Sequence, residues 1–348
     1  MVDFSQRDIE RTKHYTTRSE EICSNLLKYI PSDAKLVEPF VGEGDLKNLF
    51  PSHSWELYDI DESIDGAIHQ DTLAEPPSYK GKWVITNPPY LAKNKALDKN
   101  LFNKYGLDDL YKIAIKTILD SEGGILIIPT NFFTDERTYG IRTEFMEQFL
   151  VEEINIYTAP VFETTTYSVS AFVFRRAKEK VQEQNLKVNL FPDDKKASFL
   201  VKKDYGFRLA GDFFSEIEKT PAVFSRLLKD REIPEGKYLT NIKLYALDTR
   251  TDRIRLSYEE EHYYGISTDR VYATLISEKK LTEEQQKELI HRFNKKLNAK
   301  RDEYFNLILT NYRDYNRKRV GFEFVYKLCS KILPEIVELT WKSKFNML

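Results

Sequence analysis

The tetrapeptide Asn87-Pro88-Pro89-Tyr90 is the part of the chain whose residue types best suit a chemical task. It follows the apolar run 82–86, which has the pattern of a short buried strand. The Asn87 side-chain oxygen and the Pro88 carbonyl would form two acceptors for one NH2 group, because the proline rings fix the backbone and donate no hydrogen bond. Tyr90 adds a flat face for ring stacking. A plain Pro-Pro turn at a strand end fits the same four residues, so the motif alone does not fix a function.

Other residues suited to ligand binding precede the motif, each at the end of a predicted strand. The strand that begins at Leu36 is followed by Gly42 and Gly44, which permit a tight turn and close approach of a ligand to the backbone. Asp59 ends the next strand, where an acid can accept hydrogen bonds from ribose hydroxyls, and Asp71 follows a third short element. Strand ends of this kind meet at one edge of a parallel sheet, so the order predicts a crevice that binds a nucleoside.

Repeated alternation of strand and helix patterns predicts an α/β fold, a doubly wound sheet with its site at the carboxyl edge. Only about seven residues separate the second and third strands, fewer than the dozen or so of a usual parallel crossover, so a turn must replace the helix there. The remaining predicted elements of this half are helices over 19–30 and 107–119 and strands over 125–128, 151–157 and 169–174.

Composition bounds the class of protein. The chain has 348 residues, 41% hydrophobic and 31% charged, with a formal net charge of -2, which predicts a globular protein of two domains without an overall nucleic-acid signature. Cys23 and Cys329 are far apart, which favours neither a disulfide framework nor a zinc site, and the five histidines lack ligand spacing. We therefore expect a reducing, cytoplasmic setting, no metal, no signal peptide and no membrane span.

The sequence changes character near residues 177–187, which are charged and lack an apolar period, so we predict domains over 1–178 and 179–348. A capping box of Thr282 and Gln285 opens a long helix. The stretch 287–331 holds twelve Lys or Arg against five Asp or Glu, interleaved with aromatic residues. That composition suits either a DNA-binding surface or a charged helix face over an aromatic core. Four lysines follow the Asn-Pro-Pro-Tyr motif: Lys93, Lys95, Lys99 and Lys104. They fit either phosphate binding or a solvated loop.

On these motifs, residues 13–176 resemble the catalytic domain of class I S-adenosylmethionine-dependent amino-methyltransferases. The motif order is similar to that of the gamma-class DNA adenine-N6 enzymes, the TaqI-like methyltransferases of restriction-modification systems. The stretch 102–133, with Asp109-Leu110-Tyr111, also resembles those enzymes. The resemblance implies S-adenosylmethionine as cofactor, and its roles fall on Thr17 (methionine end), Glu38, Gly42 and Gly44 (first cofactor motif), Asp59 (ribose), Asp71 (the adenine amino group of the cofactor) and Asn87.

The resemblance also implies a substrate and a partner. Asn87 and Pro88 would accept the N6 hydrogens of an adenine flipped out of duplex DNA, and Tyr90 and Phe162 would stack on its two faces. Tyr167 is a rival for Phe162, and either could instead be an ordinary core aromatic. We expect residues 179–348, a mixed α/β or α-rich domain, to recognise the DNA target, and a cognate restriction endonuclease is a possible partner. RNA or protein-glutamine methylation, and a DNA-binding protein with a vestigial fold, stay open as alternatives.

Overall fold

A computed structural model describes residues 18–162, 168–313 and 316–345 of the protein. The chain divides into two compact units, residues 1–209 and 210–348, which we describe separately. No helix in the described residues is both long enough and apolar enough to cross a membrane.

Unit 1 is built on a large sheet with short helices. Its strands are β1 Lys35–Glu38, β2 Ser54–Asp59, β3 Ile68–His69, β4 Trp83–Thr86, β5 Gly123–Pro129, β6 Phe149–Tyr157, β7 Val169–Arg176, β8 Glu183–Phe191 and β9 Lys195–Lys202. Its α-helices are α1 Ser19–Cys23, α2 Asn100–Tyr105, α3 Leu110–Thr117 and α4 Tyr139–Met146. Short 3-10 helices cover Leu27–Tyr29, Lys47–Leu49, Thr130–Phe133, Glu136–Thr138 and Lys203–Tyr205.

The nine strands form one sheet in the order β3-β2-β1-β4-β5-β7-β6-β8-β9. Strands β1 to β5 pair in parallel, whereas β7 runs antiparallel between β5 and β6. The predicted α/β class is therefore confirmed, and so is the reduced connection between β2 and β3, where no helix is assigned in the described residues. This topology places the ends of four neighbouring parallel strands at one edge.

Both faces of the central strands are buried, which accounts for their continuous apolar sequences. On one face, Ile125 and Ile127 of β5 pack in a cluster with Ile22 of α1. On the other face, six phenylalanines from β6, β7 and the segment 132–145 form a network of mostly edge-to-face contacts: Phe132, Phe133, Phe145, Phe149, Phe172 and Phe174. Such pairs add about 0.5 to 1.5 kcal/mol each beyond the area that they bury.

Residues 179–209 belong to the sheet of unit 1, although the sequence assigned them to the second domain. Strand β8 pairs in parallel with β6 and antiparallel with β9, and the division between the units falls after Leu209. Strand β8 buries alternate residues, among them Leu186, Val188 and Leu190, between exposed polar ones. The predicted boundary at 178/179 comes too early. Strand β8 has one face in solvent, so its sequence appears charged unless the alternation of buried and exposed residues is recognised.

The helix predicted over 19–30 is interrupted. Helix α1 ends at Cys23, and a turn leads into the short 3-10 helix Leu27–Tyr29. The Asn25 side chain donates to Glu153 Oε1 (2.8 Å) and to Asn155 Oδ1 (3.0 Å) on β6. Asparagine readily exchanges helix geometry for side-chain hydrogen bonds. The apolar spacing that predicted a helix still directs Ile22, Leu26 and Ile30 into the core.

Unit 2 combines a small antiparallel sheet with three helices. Its strands are β10 Phe224–Arg226, β11 Tyr238–Tyr245, β12 Arg255–Tyr258, β13 Tyr272–Ser277, β14 Thr310–Arg313 and β15 Arg317–Arg319. The helices are α5 Gly211–Glu218, α6 Glu283–Glu303 and α7 Phe322–Phe345. Four strands form a sheet in the order β10-β13-β11-β12, and β14 pairs with β15. The capping box that opens α6 is present, with Thr282 and Gln285 each bonding the backbone N–H of the other.

Half of the cations in the basic stretch 287–331 are paired with acids in the described residues of unit 2. Six of its twelve cations form ion pairs with carboxylates: Lys287 with Glu283, Arg292 with Glu288, Lys300 with Glu303, Arg301 with Asp248, Lys327 with Glu323 and Lys331 with Glu216. Three of the six acids lie within the stretch (Glu288, Glu303 and Glu323), and three lie outside it (Glu283, Asp248 and Glu216). The excess of cations counted over residues 287–331 therefore overestimates the positive charge that unit 2 presents at its surface.

A buried polar network lies at the centre of unit 2. Arg301 is fully buried and binds both carboxylate oxygens of Asp248, at 3.0 and 2.6 Å. Lys318 is also fully buried; its backbone N–H donates to Asp248 and its side chain to Asn311. Burial, together with repulsion from Arg301, lowers the pKa of Lys318 to about 7.

Gly124 is expected to tolerate no side chain. Its φ is +158°, and a Cβ atom would lie 1.8 Å from the carbonyl oxygen of Val84 on β4. We predict that Gly124→Ala lowers the free energy of unfolding by about 3 kcal/mol, the upper end for overpacking. Gly140→Ala on α4 is the control, because its Cβ would meet no atom within 4 Å and alanine favours a helix by about 0.5 to 1 kcal/mol. Urea unfolding measures both variants, and equal stability of the two would contradict the packing argument.

Lys318 should make stability depend on pH. Its folded pKa of about 7 lies below the ordinary value, so above about pH 7 the unfolded chain holds a proton that the folded chain has lost. The free energy of unfolding should therefore rise between about pH 6.5 and about pH 8.5, by roughly 1 to 2 kcal/mol. Lys318→Met should lack this increment in urea unfolding. The same pH dependence in both proteins would show that Lys318 stays charged when folded.

Candidate active site

Four of the predicted site residues lie at the carboxyl edge of the sheet in unit 1. Glu38 and Asp59 are the last residues of β1 and β2, Asp71 follows β3, and Asn87 follows β4. These strands are neighbours and run in parallel, in the order β3-β2-β1-β4. The fold therefore places at one edge the residues that the motifs singled out.

The glycine turn after β1 is held by the acid at the end of β2. Gly42 (φ +53°) donates its N–H to Asp59 Oδ2 at 2.8 Å, and Gly44 (φ +81°) donates to the Val41 carbonyl at 2.9 Å. A Cβ on Gly44 would meet no atom within 4 Å, so the requirement for glycine there comes from the left-handed backbone. The second oxygen of Asp59 accepts the Asp61 N–H at 2.9 Å. Each carboxylate oxygen keeps a free lone pair for a ligand, and the ribose role of Asp59 stays a prediction.

Glu38 is an acid buried at the floor of this edge. It is 2% exposed, and its Oε1 has no hydrogen-bond partner among the described residues. Burial raises the pKa of Glu38 well above its ordinary value, and the charges of Asp59 and Asp45 add to the shift. An unpaired buried acceptor is costly, so its presence suggests that a ligand supplies the missing donor.

Asp71 has the same feature on one of its oxygens. Its Oδ1 accepts the N–H groups of Leu73 and Ala74, each at 3.0 Å, and so fixes the turn after β3. Its Oδ2 is buried and has no partner within the described part of the chain. Burial raises the pKa of Asp71. The free oxygen is placed to accept one more hydrogen bond.

These acceptors fit the donors of S-adenosylmethionine. That molecule carries an ammonium group, two ribose hydroxyls and an adenine amino group, and the edge offers acceptors on Glu38, Asp59 and Asp71. The open glycine turn between them allows close approach to the backbone. Thr17, the predicted contact for the methionine end, lies outside the described residues. No three His, Cys, Asp or Glu side chains within those residues come together as metal ligands.

Asn87 and Tyr90 of the motif are joined by a short hydrogen bond. The Tyr90 hydroxyl oxygen lies 2.6 Å from Asn87 Oδ1 and 2.6 Å from the carbonyl oxygen of Ile127 on β5. A hydroxyl has a single proton, so it can donate to only one of the two oxygens at a time. Asn87 is half-buried and Pro88 is buried. The amide oxygen of Asn87 accepts from Tyr90, and an amide oxygen can accept two hydrogen bonds.

The Tyr90 ring contacts one apolar cluster and one other aromatic ring. It is half-buried, packs against the cluster that contains Ile127 and Phe162, and meets the ring of Tyr111 edge to face at 6.3 Å. Burial, with a smaller contribution from Asp109, raises the pKa of Tyr90 well above its ordinary value. The hydroxyl therefore stays protonated at neutral pH and remains a donor.

Phe162, the predicted second stacking residue, is 3% exposed and belongs to that same cluster. Its stacking role is untested and stays a prediction. Its rival Tyr167 lies outside the described residues.

Two contacts of the motif could not be assigned by inspecting the sequence. The Ile127 carbonyl is a backbone atom 37 residues from Tyr90 and leaves no trace in residue type. The segment after the motif pairs with the start of α3, where Lys93 N–H donates to the Asp108 carbonyl (2.8 Å) and Leu110 N–H donates to the Leu91 carbonyl (3.1 Å). The family resemblance included Asp109-Leu110-Tyr111 in this region, but it implied no function for these residues.

Solved structures with similar folds are remote. A provisionally assigned modification subunit of a type I restriction enzyme from Vibrio vulnificus YJ016 is 12% identical, with a TM-score of 0.43 over 59% of this chain and 51% of its own. The M protein of the type I restriction enzyme EcoKI is 13% identical, with a TM-score of 0.38 over 51% of this chain and 48% of its own. The methyltransferase subunit of a type I restriction-modification system from Streptococcus thermophilus is 14% identical, with a TM-score of 0.37 over 51% of this chain and 47% of its own. The matched part is about half the length of each of these proteins, and no curated protein matches the chain.

A family assignment comes from the sequence model of the N-6 DNA methylases. It matches residues 54–253, which is more than half of the chain. The match contains Asp59, Asp71 and the whole Asn-Pro-Pro-Tyr motif at the carboxyl edge described above. This chain belongs to the N-6 DNA methylase family.

Proposed function

We propose that the protein is a site-specific DNA adenine-N6 methyltransferase that uses S-adenosylmethionine and acts on an adenine flipped out of duplex DNA. The observation that carries the proposal is the arrangement of acceptors at one sheet edge, where Asn87 follows β4 and where Glu38 and Asp71 each have one buried oxygen without a partner in the described residues. Membership of the N-6 DNA methylase family supports the same chemistry.

The residues of the motif would prepare the adenine amino group. Asn87 Oδ1 and the Pro88 carbonyl accept its two hydrogens, which favours tetrahedral geometry and makes the nitrogen lone pair nucleophilic. With adenine bound, the Tyr90 hydroxyl can donate to the Ile127 carbonyl while Asn87 Oδ1 accepts from the base. Asn87 Oδ1 and the Ile127 carbonyl then no longer compete for the single proton of the Tyr90 hydroxyl. Tyr90 and Phe162 would hold the two faces of the ring.

Bound S-adenosylmethionine supplies an electrophilic methyl group on a sulfonium. Glu38 would accept from its ammonium group, Asp59 from its ribose hydroxyls and Asp71 from its adenine amino group, with Gly42 and Gly44 leaving room beside the chain. Thr17 is proposed at the methionine end. The acids also give the crevice a negative charge that complements a cationic ligand.

The wider setting is also part of the proposal. Residues 210–348 would recognise the DNA target, and the enzyme would be the cytoplasmic modification part of a restriction-modification system with a cognate endonuclease. Recognition by this unit is supported by the absence of any long insertion between the glycine turn and the motif, since about 45 residues separate them. The match of the N-6 DNA methylase model extends into this unit as far as residue 253.

Asn87 is the decisive residue for the chemistry. Asn87→Ala should lower the rate of methylation by about a hundredfold or more while S-adenosylmethionine binding stays nearly unchanged, because an acceptor used on the substrate is removed. Asn87→Asp is the matched control: it keeps an acceptor oxygen and should retain more activity than Asn87→Ala. Plasmid DNA, RNA and protein are incubated separately with labelled S-adenosylmethionine; one portion of the DNA is digested to nucleosides to identify the modified base, and another is sequenced to locate it. Near-normal turnover by Asn87→Ala, or label appearing only in RNA or in protein glutamine, would refute the assignment.

Glu38 is expected to lower the free energy of unfolding while it contributes to cofactor binding. A raised folded pKa means that the ionised carboxylate destabilises the fold at neutral pH, and that this cost disappears as pH falls toward the unfolded pKa of about 4. Glu38→Gln should therefore raise the free energy of unfolding at pH 7 by roughly 1 to 3 kcal/mol. The same variant should weaken S-adenosylmethionine binding in calorimetry. A variant that is less stable, yet binds the cofactor normally, would assign Glu38 a structural role only.

A further inference from the structure

The twelve residues 93–104, here called the lysine segment, follow the motif at the carboxyl edge of the sheet. They contain Lys93, Lys95, Lys99 and Lys104 against the single acid Asp98. Such a cluster of cations suits either a partner with negative charge or a solvated surface, and the contacts of the segment bear on that choice.

The lysine segment is anchored to the fold rather than loosely attached. At its start, the Lys93 N–H donates to the Asp108 carbonyl at 2.8 Å. The Asp98 side chain accepts the Asn100 N–H at 2.8 Å, just before α2 begins. Within α2, Leu101 (2% exposed) and Phe102 (0%) are buried in a cluster with Leu91, next to the motif. The charges of the segment are thus held at a fixed place relative to Asn87.

Two of these lysines keep their charge available. The Lys93 ammonium donates to the neutral side chain of Asn103 at 2.7 Å and has two further protons to donate. Lys99 is exposed, and neither Lys93 nor Lys99 forms an ion pair with a carboxylate in the described parts of the chain. Lys104 instead donates to the Ala74 carbonyl at 2.7 Å, which fixes α2. Lys93 and Lys99 are therefore the cations of the segment that remain available to an anion, and they belong to the same unit as Asn87.

Leu97 lies among these lysines and points away from the core. It is 58% exposed, more than any other large apolar residue in the described chain, whereas its neighbours Ala96 (7%) and Leu101 (2%) are buried. A single exposed leucine is ordinary on a protein surface. Here it stands between Lys95 and Lys99, seven residues after Tyr90, and DNA-binding proteins insert apolar side chains of this kind between base steps.

We propose that the lysine segment binds the duplex beside the flipped adenine, with Lys93 and Lys99 on backbone phosphates and Leu97 inserted into the base stack. This inference rests on the proposed function and names the DNA surface that serves it. The partner is double-stranded DNA, because the cations suit phosphates and a wedge needs a stack to enter.

The phosphate contacts are tested by the salt dependence of binding to a duplex of any sequence. Each phosphate contact contributes about 0.9 to the slope of log affinity against log salt concentration, so Lys93→Gln/Lys99→Gln should reduce the slope by close to two such contacts. Lys80→Gln is the matched control: Lys80 is an exposed lysine just before β4, at the opposite end of the strand that leads to Asn87. An unchanged slope in the double variant, or an equal loss with Lys80→Gln, would overturn the phosphate assignment.

The wedge is tested with 2-aminopurine in place of the target adenine, once sequencing has located it. Leu97→Ala should give a smaller fluorescence rise on binding and a kcat/KM on the matched duplex lower by about tenfold, in keeping with a flipping cost of a few kcal/mol. A mismatch opposite the target should restore most of that loss, because less unstacking is then required. Leu200→Ala, at an exposed leucine on β9, should behave like the unmodified protein. Equal fluorescence and equal rates for Leu97→Ala would reject the wedge.

Failure of this inference is distinguishable from failure of the proposed function. If the unmodified protein methylates DNA and the lysine and Leu97 variants match it, only the lysine segment is misassigned. If the unmodified protein methylates no DNA, or methylates RNA alone, the proposed function fails and the inference fails with it. S-adenosylmethionine binding, measured by calorimetry, should be the same in all these variants, and its loss in the lysine and Leu97 variants would mean that the segment serves the cofactor site instead.

Discussion

The parallel pairing of β1 with β2 and β4 is the constraint on which the site depends. It aligns the strands so that Glu38, Asp59 and Asn87 end at one edge, and the Gly42 N–H bond to Asp59 then fixes the glycine turn. The arrangement has an electrostatic cost, because it gathers carboxylates with little water around them. The raised pKa of Glu38 reflects that cost, as does that of Asp71. A cationic ligand that donates hydrogen bonds would offset it.

The same electrostatics implies that the two proposed substrates, S-adenosylmethionine and DNA, bind to different surfaces. An edge lined with acids favours a sulfonium and an ammonium group, but it repels a polyanion such as DNA. With a formal net charge of -2, the chain as a whole does not attract DNA either. The proposed binding of DNA would therefore depend on local cations, and Lys93 and Lys99 carry such charge three and nine residues after Tyr90. The transition from acid-lined to lysine-lined surface takes place within a few residues of Tyr90.

Sequence reasoning located what depends on local pattern and missed what depends on distant partners. Buried strands and the residues that end them follow from short apolar runs, so the four strand-end positions were predictable. Strand β8 was missed because its exposed face is charged, and the helix over 19–30 is broken by bonds from Asn25 to β6, far along the chain. The contact of Tyr90 with the Ile127 carbonyl involves a backbone atom, which no residue type reveals.

Charge counts along the sequence mislead for a related reason. The window 287–331 looked strongly basic, yet Arg301 is buried against Asp248 and Lys331 pairs with Glu216, both acids from outside that window. A cation that already has a carboxylate partner must break that pair to bind a phosphate, so it contributes less to DNA affinity than an unpaired one. Lys295 and Lys296 on α6, which have no carboxylate partner in the described residues, are therefore better candidates for phosphate contacts in unit 2 than the six paired cations. The base recognition proposed for that unit would need donors and acceptors rather than net charge.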